Sequence, residues 1–349
     1  MFKAVAGYYK DNERLRLLVK IIAVWLISRA VMLLMVPVMN LIADEPHQWL
    51  YYMNPWDAEW YKGIVENGYQ PPKSSGMASW AFFPLYPLVC MAVRLVTMGS
   101  IDTYAVGMTV SNICIIIAVY YAVKYADIEL DMKKYNKKTV EDIIIFLMLA
   151  GPFAVYYGAM YTEALFILCV ILCFYNSARH NYMAAGIAAA MASATRIVGC
   201  MLVFVLITYM FMETCAECRA KHNSEMKDNK EAGIIDKCML IEEAGILIAG
   251  NISLASVIRT FIKNVIKEPK KLVAIMISPL GIFIYMNYLR YFCGDSWAFY
   301  HVQRAWRTQK MFPVIGVLFK SCTGQLSAAS GVKTLNGIIL GWLCVITLM

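Results

Sequence analysis

Charge is the first thing this sequence is short of. Asp, Glu, Lys and Arg make up 16% of its 349 residues and apolar side chains 60%, against ~25% and ~45–50% in a soluble globular chain. Mean hydropathy is correspondingly high, +0.57. The usual phosphate and hydrolase signatures are missing too: there is no Walker loop, Rossmann fingerprint, HExxH or nucleophile elbow. Eleven cysteines are present, but most fall inside apolar runs, where a thiol behaves as a small hydrophobe, so no disulfide framework is implied. Cys215, Cys218 and His222, with Cys238 downstream, match no structural zinc spacing, and no metal ligand is assigned. The net charge of +8 does not indicate nucleic acid. The basic residues flank apolar runs: Lys3, Lys10, Arg14, Arg16 and Lys20 precede one, and Lys263, Lys267, Lys270 and Lys271 another. That is the positive-inside pattern of a membrane protein.

What the sequence has instead is apolar runs of roughly 17–25 residues, long enough to span a hydrocarbon core as helix. Lipid offers no partner to backbone N–H and C=O groups, so the expected fold is an all-α polytopic membrane protein. The first run, Leu17–Ile42, lacks a small-x-small cleavage site and reads as an uncleaved signal-anchor helix with Ser28 and Arg29 near its middle. A polar, aromatic loop, 43–80, follows on the extracytoplasmic side. Ala81–Met98 and Tyr104–Val123 come next. Ile143–Tyr175 is interrupted at Gly151-Pro152, Gly158 and Thr162-Glu163, and Met183–Met212 at Thr195-Arg196, so each reads as a hairpin of short helices with a polar apex. A charged stretch, 213–243, reads as a cytoplasmic loop. Ile246–Ile266 reads as an interfacial helix, Leu272–Phe292 as a span, and 294–310 as a second extracytoplasmic loop. The last run, Leu335–Met349, is short for a span and reads as a chain that continues. Simple alternation places Lys124–Asp142 outside although its five lysines argue for inside. A non-spanning Ala81–Met98 repairs that parity.

Four constellations carry possible chemistry. In Asn54-Pro55-Trp56-Asp57-Ala58-Glu59-Trp60-Tyr61, two carboxylates are bracketed by rings that stack on sugars or form an interfacial belt. A carboxylate held there is suited to deprotonate a hydroxyl; a solvated, aromatic-anchored loop is the plainer reading. Ala81–Leu88, with Pro84 and Pro87, reads as a helix start. Arg29, Arg94, Glu163 and Arg196 are ionisable groups in apolar surroundings, expected to face a cavity or a partner. An arginine fork suits a lipid-linked phosphate, while an internal Glu163–Arg196 pair is the alternative. Finally, Gly294–Arg307 gathers His301, Gln303, Arg304 and Arg307 beside aromatics, a set suited to phosphate and sugar, or to an amphipathic interfacial helix.

Taken together, these segments resemble one family. Trp56-Asp57, Trp60-Tyr61, Ile64-Val65, Gly68-Tyr69 and Ala81–Leu88 are similar to the PIG-V type mannosyltransferases, the family of the second mannosyltransferase of GPI-anchor synthesis and its prokaryotic relatives. Tyr161–Phe166, Ala194–Gly199 and Gly294–Trp306 resemble further segments of that family, in the same order. Thr162 stands where serine is usual, and Ser296-Trp297 where Pro-Leu is common. The resemblance implies a GT-C bundle of about eight transmembrane or partly re-entrant helices in a single membrane domain, 1–349. It further implies an inverting glycosyltransferase that moves a sugar, expected to be mannose, from a polyprenyl- or dolichyl-phosphate carrier to a glycan or glycolipid hydroxyl. The donor phosphate leaves, so neither a nucleotide fold nor a cofactor is required, and a divalent cation is left open. By the same resemblance Asp57 is the general base, with Glu59 as an alternative or supporting carboxylate. Trp56 and Tyr61 position sugar or lipid, and Arg196, Arg304 and Arg307 face the leaving phosphate. Glu163, His301 and Gln303 complete the substrate-binding set. The expected site of action is a bacterial plasma membrane, or the endoplasmic reticulum membrane in a eukaryote. A transporter or flippase would instead show inverted repeats, of which there is no sign, and a non-catalytic assembly subunit would have no need of Asp57.

Overall fold

The computed structural model describes residues 12–42, 48–54, 56–72, 76–227 and 253–306. Its helices, in chain order, are α1 (Glu13–Ile42), α2 (Trp49–Met53), α3 (Ala58–Asn67), α4 (Leu85–Val96), α5 (Thr103–Glu129), α6 (Lys137–Ala150), α7 (Glu163–Ala178), α8 (Tyr182–Thr195), α9 (Leu202–Lys227), α10 (Leu254–Lys267), α11 (Pro269–Ile277), α12 (Leu280–Cys293), α13 (Ala298–His301) and α14 (Gln303–Trp306). Among the described residues no strand occurs, and the protein is an all-α polytopic membrane protein. Among the described residues, three helical stretches are long and apolar enough to cross a bilayer: Glu13–Val38, Thr103–Glu129 and Ile197–Lys221. α11 and α12 make a fourth when taken as one span bent by 44°, and α4, α7 and α8 are shorter apolar helices. Water would not tolerate α1 as it stands: Ile27, Val31 and Leu34 are 65%, 56% and 71% exposed. Hydrocarbon removes that penalty.

The described residues fall into two units. The larger lies within 1–70 and 82–296, the smaller within 71–81 and 297–349. In the larger unit α5 packs along α7, α7 along α8, and α8 against α11 and α12. α8 fits there because Ala185, Ala188, Ala189 and Ala192 are all buried and small, the composition that lets membrane helices approach closely.

Ion pairs fix the parity of the first spans. Lys137 Nζ lies 2.5 Å from Glu13 and 3.5 Å from Asp127, and Lys20 Nζ 2.5 Å from Asp142. The lysine-rich segment between α5 and α6 therefore sits at the N-terminal end of α1. α4 has 12 residues, or about 18 Å of helix, too little for a ~30 Å core. It does not cross, and α5 makes the return. α6 and α8 (14 residues each) rise about 21 Å, and α7 (16 residues) about 24 Å. Both interruptions read in the sequence thus come at the far end from the lysines: the non-helical stretch 151–162 before α7, and Arg196, extended at φ −153°, after α8.

One boundary differs from expectation. The charged stretch read as a loop from 213 begins as helix, because α9 runs on to Lys227. Glu213 and Glu217 gain partners on neighbouring helices, Lys271 at 2.9 Å and Asn264 at 2.8 Å, which hold the polar turns helical. Residues 228–243 and 246–252 lie outside the described set. The described part of the segment read as an interfacial helix forms α10, with buried Val257 and Val265.

In the smaller unit, the short 3-10 turn Ser79–Ala81 packs on α13. Ala305 lies close to Gly76, whose φ of +77° suits glycine.

Candidate active site

Asp57 sits at the N-cap of α3, where an aspartate ordinarily accepts a hydrogen bond from the helix's own amides. Here it makes no such bond, so the carboxylate is not committed to holding the helix. Its backbone N–H donates to Tyr161 Oη at 3.2 Å, tying the head of α3 to the break before α7. Trp56, immediately before it, is 74% exposed and holds φ +50°. A bulky residue in that left-handed region is strained, and the strain is localised beside Asp57.

Tyr61, one turn further on, is buried among Phe82, Tyr86 and Tyr161 at ring-centroid distances of 5.0, 5.5 and 6.3 Å. Its hydroxyl donates to Thr162 Oγ1 at 3.4 Å. Burial pushes that phenol well above its ordinary pKa, so it stays a donor. Phe82 and Tyr86, from the proline-flanked segment, are its packing partners, and Tyr86 Oη donates to Gly107 O at 2.9 Å. Tyr61 is therefore a wall behind the site rather than an exposed sugar platform.

The second half of the site comes from the two breaks. Glu163 opens α7, where a negative charge complements the helix dipole. Arg196 ends α8, and its Nη1 donates to Glu163 Oε1 at 2.7 Å. Gly199 lets the chain fold back so tightly here: a Cβ would collide with the backbone of Ala192 and Ser193. The pair is incompletely satisfied. Glu163 Oε2 is buried without a partner among the described residues, while the Arg196 side chain is 42% exposed. Asp57 responds to both charges. Partial burial of its carboxyl raises its pKa above the usual aspartate value, Glu163 raises it further, and Arg196 pulls it back. A base with a raised pKa, a cation with an open face and a carboxylate with a free oxygen are thus electrostatically coupled.

Glu59 is placed differently. It is exposed and accepts a hydrogen bond from Tyr104 Oη on α5. Residues two apart on a helix point in different directions, which separates it from Asp57. Arg94, at the end of α4, lies 3.9 Å from Glu66, which also accepts from Thr103 Oγ1 at 2.6 Å. His301, Gln303 and Arg304 belong to the smaller unit, His301 and Arg304 exposed and Gln303 half-buried. Arg307 lies outside the described residues. The segment Gly294–Lys310 is thus divided, its first three residues belonging to the larger unit. Among the described residues no group of three His, Cys, Asp or Glu side chains could hold a metal ion.

Three participants have no role in the sequence reading: Asn54, Tyr161 and Thr162. Asn54, 4% exposed, accepts from Met160 N at 2.7 Å and donates to Leu50 O at 2.8 Å, joining the loop to the break. All three lie inside segments recognisable as motifs. The bonds that join the loop to the break, Met160 N to Asn54, Asp57 N to Tyr161 and Tyr61 Oη to Thr162, each span more than 100 positions, so no local pattern could assign their roles.

The family described as Mannosyltransferase (PIG-V) matches residues 14–233, well over half the chain and every element that builds the Asp57–Glu163–Arg196 cluster. No curated protein and no solved structure matches. The chain belongs to the PIG-V mannosyltransferase family and is an integral-membrane glycosyltransferase.

Proposed function

We propose that this protein transfers mannose, with inversion, from a polyprenyl- or dolichyl-phosphate carrier to a hydroxyl of a glycan or glycolipid, using Asp57 as general base. The observation that carries this reading is the carboxylate of Asp57, unused as a helix cap and raised in pKa, beside the half-open Arg196–Glu163 pair.

In this scheme the acceptor O–H gives its proton to Asp57 as the oxygen bonds to the anomeric carbon. The bond from that carbon to the donor phosphate oxygen breaks on the opposite face, inverting the centre. The electron pair stays on the lipid phosphate, whose growing charge Arg196 meets. Glu163 orients the arginine through one oxygen and offers the other to a sugar hydroxyl. Trp56 supplies a ring for sugar or lipid. His301, Gln303, Arg304 and Arg307 keep the substrate-binding assignment that the family resemblance implies for their segment. No cofactor is needed, because the leaving group is activated by its own phosphate. With the lysine-rich end cytoplasmic, the site opens on the extracytoplasmic side, that of a bacterial plasma membrane or the lumenal side of the endoplasmic reticulum.

The test is Asp57→Asn in purified, lipid-reconstituted protein given a polyprenyl-phosphate-mannose donor and a glycolipid acceptor. Turnover is expected to fall by about 10²–10⁴-fold, the usual contribution of a general base. Stability moves the other way. Because Asp57's folded pKa is raised, the native state holds a proton the unfolded chain has lost between the two values, and stability falls with pH across that window. The asparagine variant therefore unfolds no more easily than wild type at neutral pH. Wild-type turnover in Asp57→Asn would refute the assignment.

A further inference from the structure

Arg29, in the middle of α1, takes no part in the transfer chemistry just described. It is 9% exposed, and among the described residues no carboxylate pairs with it. Nη1 donates to Ala154 O and to Met32 Sδ, both at 3.0 Å. Nε and Nη2 are buried with no partner among the described residues. A cation in hydrocarbon is costly, and one kept for stability alone would be expected to use all its donors.

Its neighbours show what it does hold. Ser28 Oγ donates to Leu149 O at 2.5 Å, one residue earlier on α1 and five earlier on the chain it faces. Leu149 is in the last turn of α6, whose carbonyls have no helical partner once the chain breaks at Gly151 and Pro152. Arg29 takes a carbonyl just past the break, that of Ala154, close to the negative end of α6. Gly158 lies so near that a Cβ there would collide with the guanidinium. From that point the break is held residue by residue. Asn112 Nδ2 donates to Gly158 O at 3.3 Å, Asn54 accepts from Met160 N, and Ser111 Oγ donates to Tyr161 O at 3.3 Å. Tyr161 then receives the amide of Asp57, and Glu163 follows two residues on.

We propose that Arg29 is a positioning residue for the transfer reaction: by binding Ala154 and seating Gly158, it fixes the 151–162 break so that Tyr161 and Glu163 face Asp57. This rests on the assignment of Asp57, Glu163 and Arg196 to the reacting site. A cation buried in the first span thereby sets the geometry of a site it does not touch.

The experiment compares Arg29→Met and Arg29→Lys with wild type in lipid nanodiscs. It measures kcat and donor KM across pH, unfolding temperature, and hydrogen exchange of the 153–161 amides. Met removes a charge from the bilayer, so insertion is not impaired. Expected for Arg29→Met are unchanged or higher unfolding temperature, faster exchange in the break, and kcat down about 100-fold, the scale of a 1 Å misplacement. Donor KM stays within a few-fold, and the acid limb of kcat moves to lower pH as Glu163 withdraws from Asp57. Arg29→Lys, which still reaches a carbonyl, recovers part of kcat and slows the exchange. Unchanged kcat and acid limb in Arg29→Met overturn the proposal, as does a kcat loss that tracks a lower unfolding temperature with no rescue by lysine. Asp57→Asn run alongside separates the two failures: if it keeps turnover, the base is wrong whatever Arg29 does, while exchange still reports whether Arg29 holds the break.

Discussion

The two ends of the α7–α8 hairpin carry similar residues in opposite conditions. At the turn between the helices, Lys271 is only 5% exposed on its side chain and sits between Glu213 at 2.9 Å and Glu268 at 2.8 Å. Tyr182 Oη donates to Glu213 at 2.9 Å, and His180 Nδ1 lies 3.3 Å from the same carboxylate. Glu213, Glu268 and Lys271 each have a partner there. At the open end, Glu163 and Arg196 pair once, one carboxylate oxygen is left buried without a partner among the described residues, and Asp57 makes no cap. A closed cluster of charges holds helices together; an incomplete one leaves donors and acceptors for a substrate. On the proposed function the same chemistry serves stability at one end and reaction at the other, and the difference is satisfaction rather than composition.

Substitutions at the two ends should therefore fail in different ways. The largest effect after Asp57→Asn is expected from Arg196→Gln, which removes the cation proposed to face the leaving phosphate: kcat falls by about 10²–10³-fold. Because Arg196 pulls Asp57's pKa down, its loss also moves the acid limb of the pH–rate profile upward. Lys271→Met tests the other end. The loss leaves Glu213 and Glu268, 23% and 55% exposed, without their cation and costs about 1 kcal/mol, read as equilibrium unfolding in detergent, while kcat of the folded fraction stays at wild type. A kcat loss without a stability loss there would erase the contrast. Glu163→Gln is smaller, about tenfold in kcat, and carries a signed marker. With the like charge gone and Arg196 retained, the acid limb shifts to lower pH. The smallest effect belongs to Glu59→Gln: bonded to Tyr104 rather than turned to the cluster, Glu59 is expected to change turnover by less than about threefold, within the range of an exposed polar contact. A loss comparable to that of Asp57→Asn would exchange the roles of the two carboxylates.

Much of the site was legible before any coordinates. Glu163 and Arg196 mark themselves by type, since an ionisable group in an apolar run is too costly to be idle, whereas Asp57 stands out as a carboxylate bracketed by indoles in the motif that carries the family resemblance. The breaks at Gly151-Pro152 and Thr195-Arg196 were equally plain, because proline and an apolar-run arginine interrupt a span by their chemistry. Tyr61 and Glu59 were not separable by the same means. Both stand near Asp57 in sequence, and only the helix rotation decides that one is a buried wall and the other faces Tyr104. Arg29 was visible as an anomaly but not as a contact, for Ala154 and Gly158 lie far along the chain.

Taken alone, the sequence determined that this chain lives in a bilayer as helices, since apolar runs of spanning length leave the backbone no other way to satisfy its hydrogen bonds. It also determined which ionisable groups needed an explanation. Tertiary structure decided the rest: that Ala81–Met98 does not cross, that the lysines of 124–142 return to the side of Glu13 and Lys20, and that two broken helices end together beside Asp57. Those outcomes depend on which distant carbonyl or carboxylate each polar group meets, and such partners are set by packing in three dimensions.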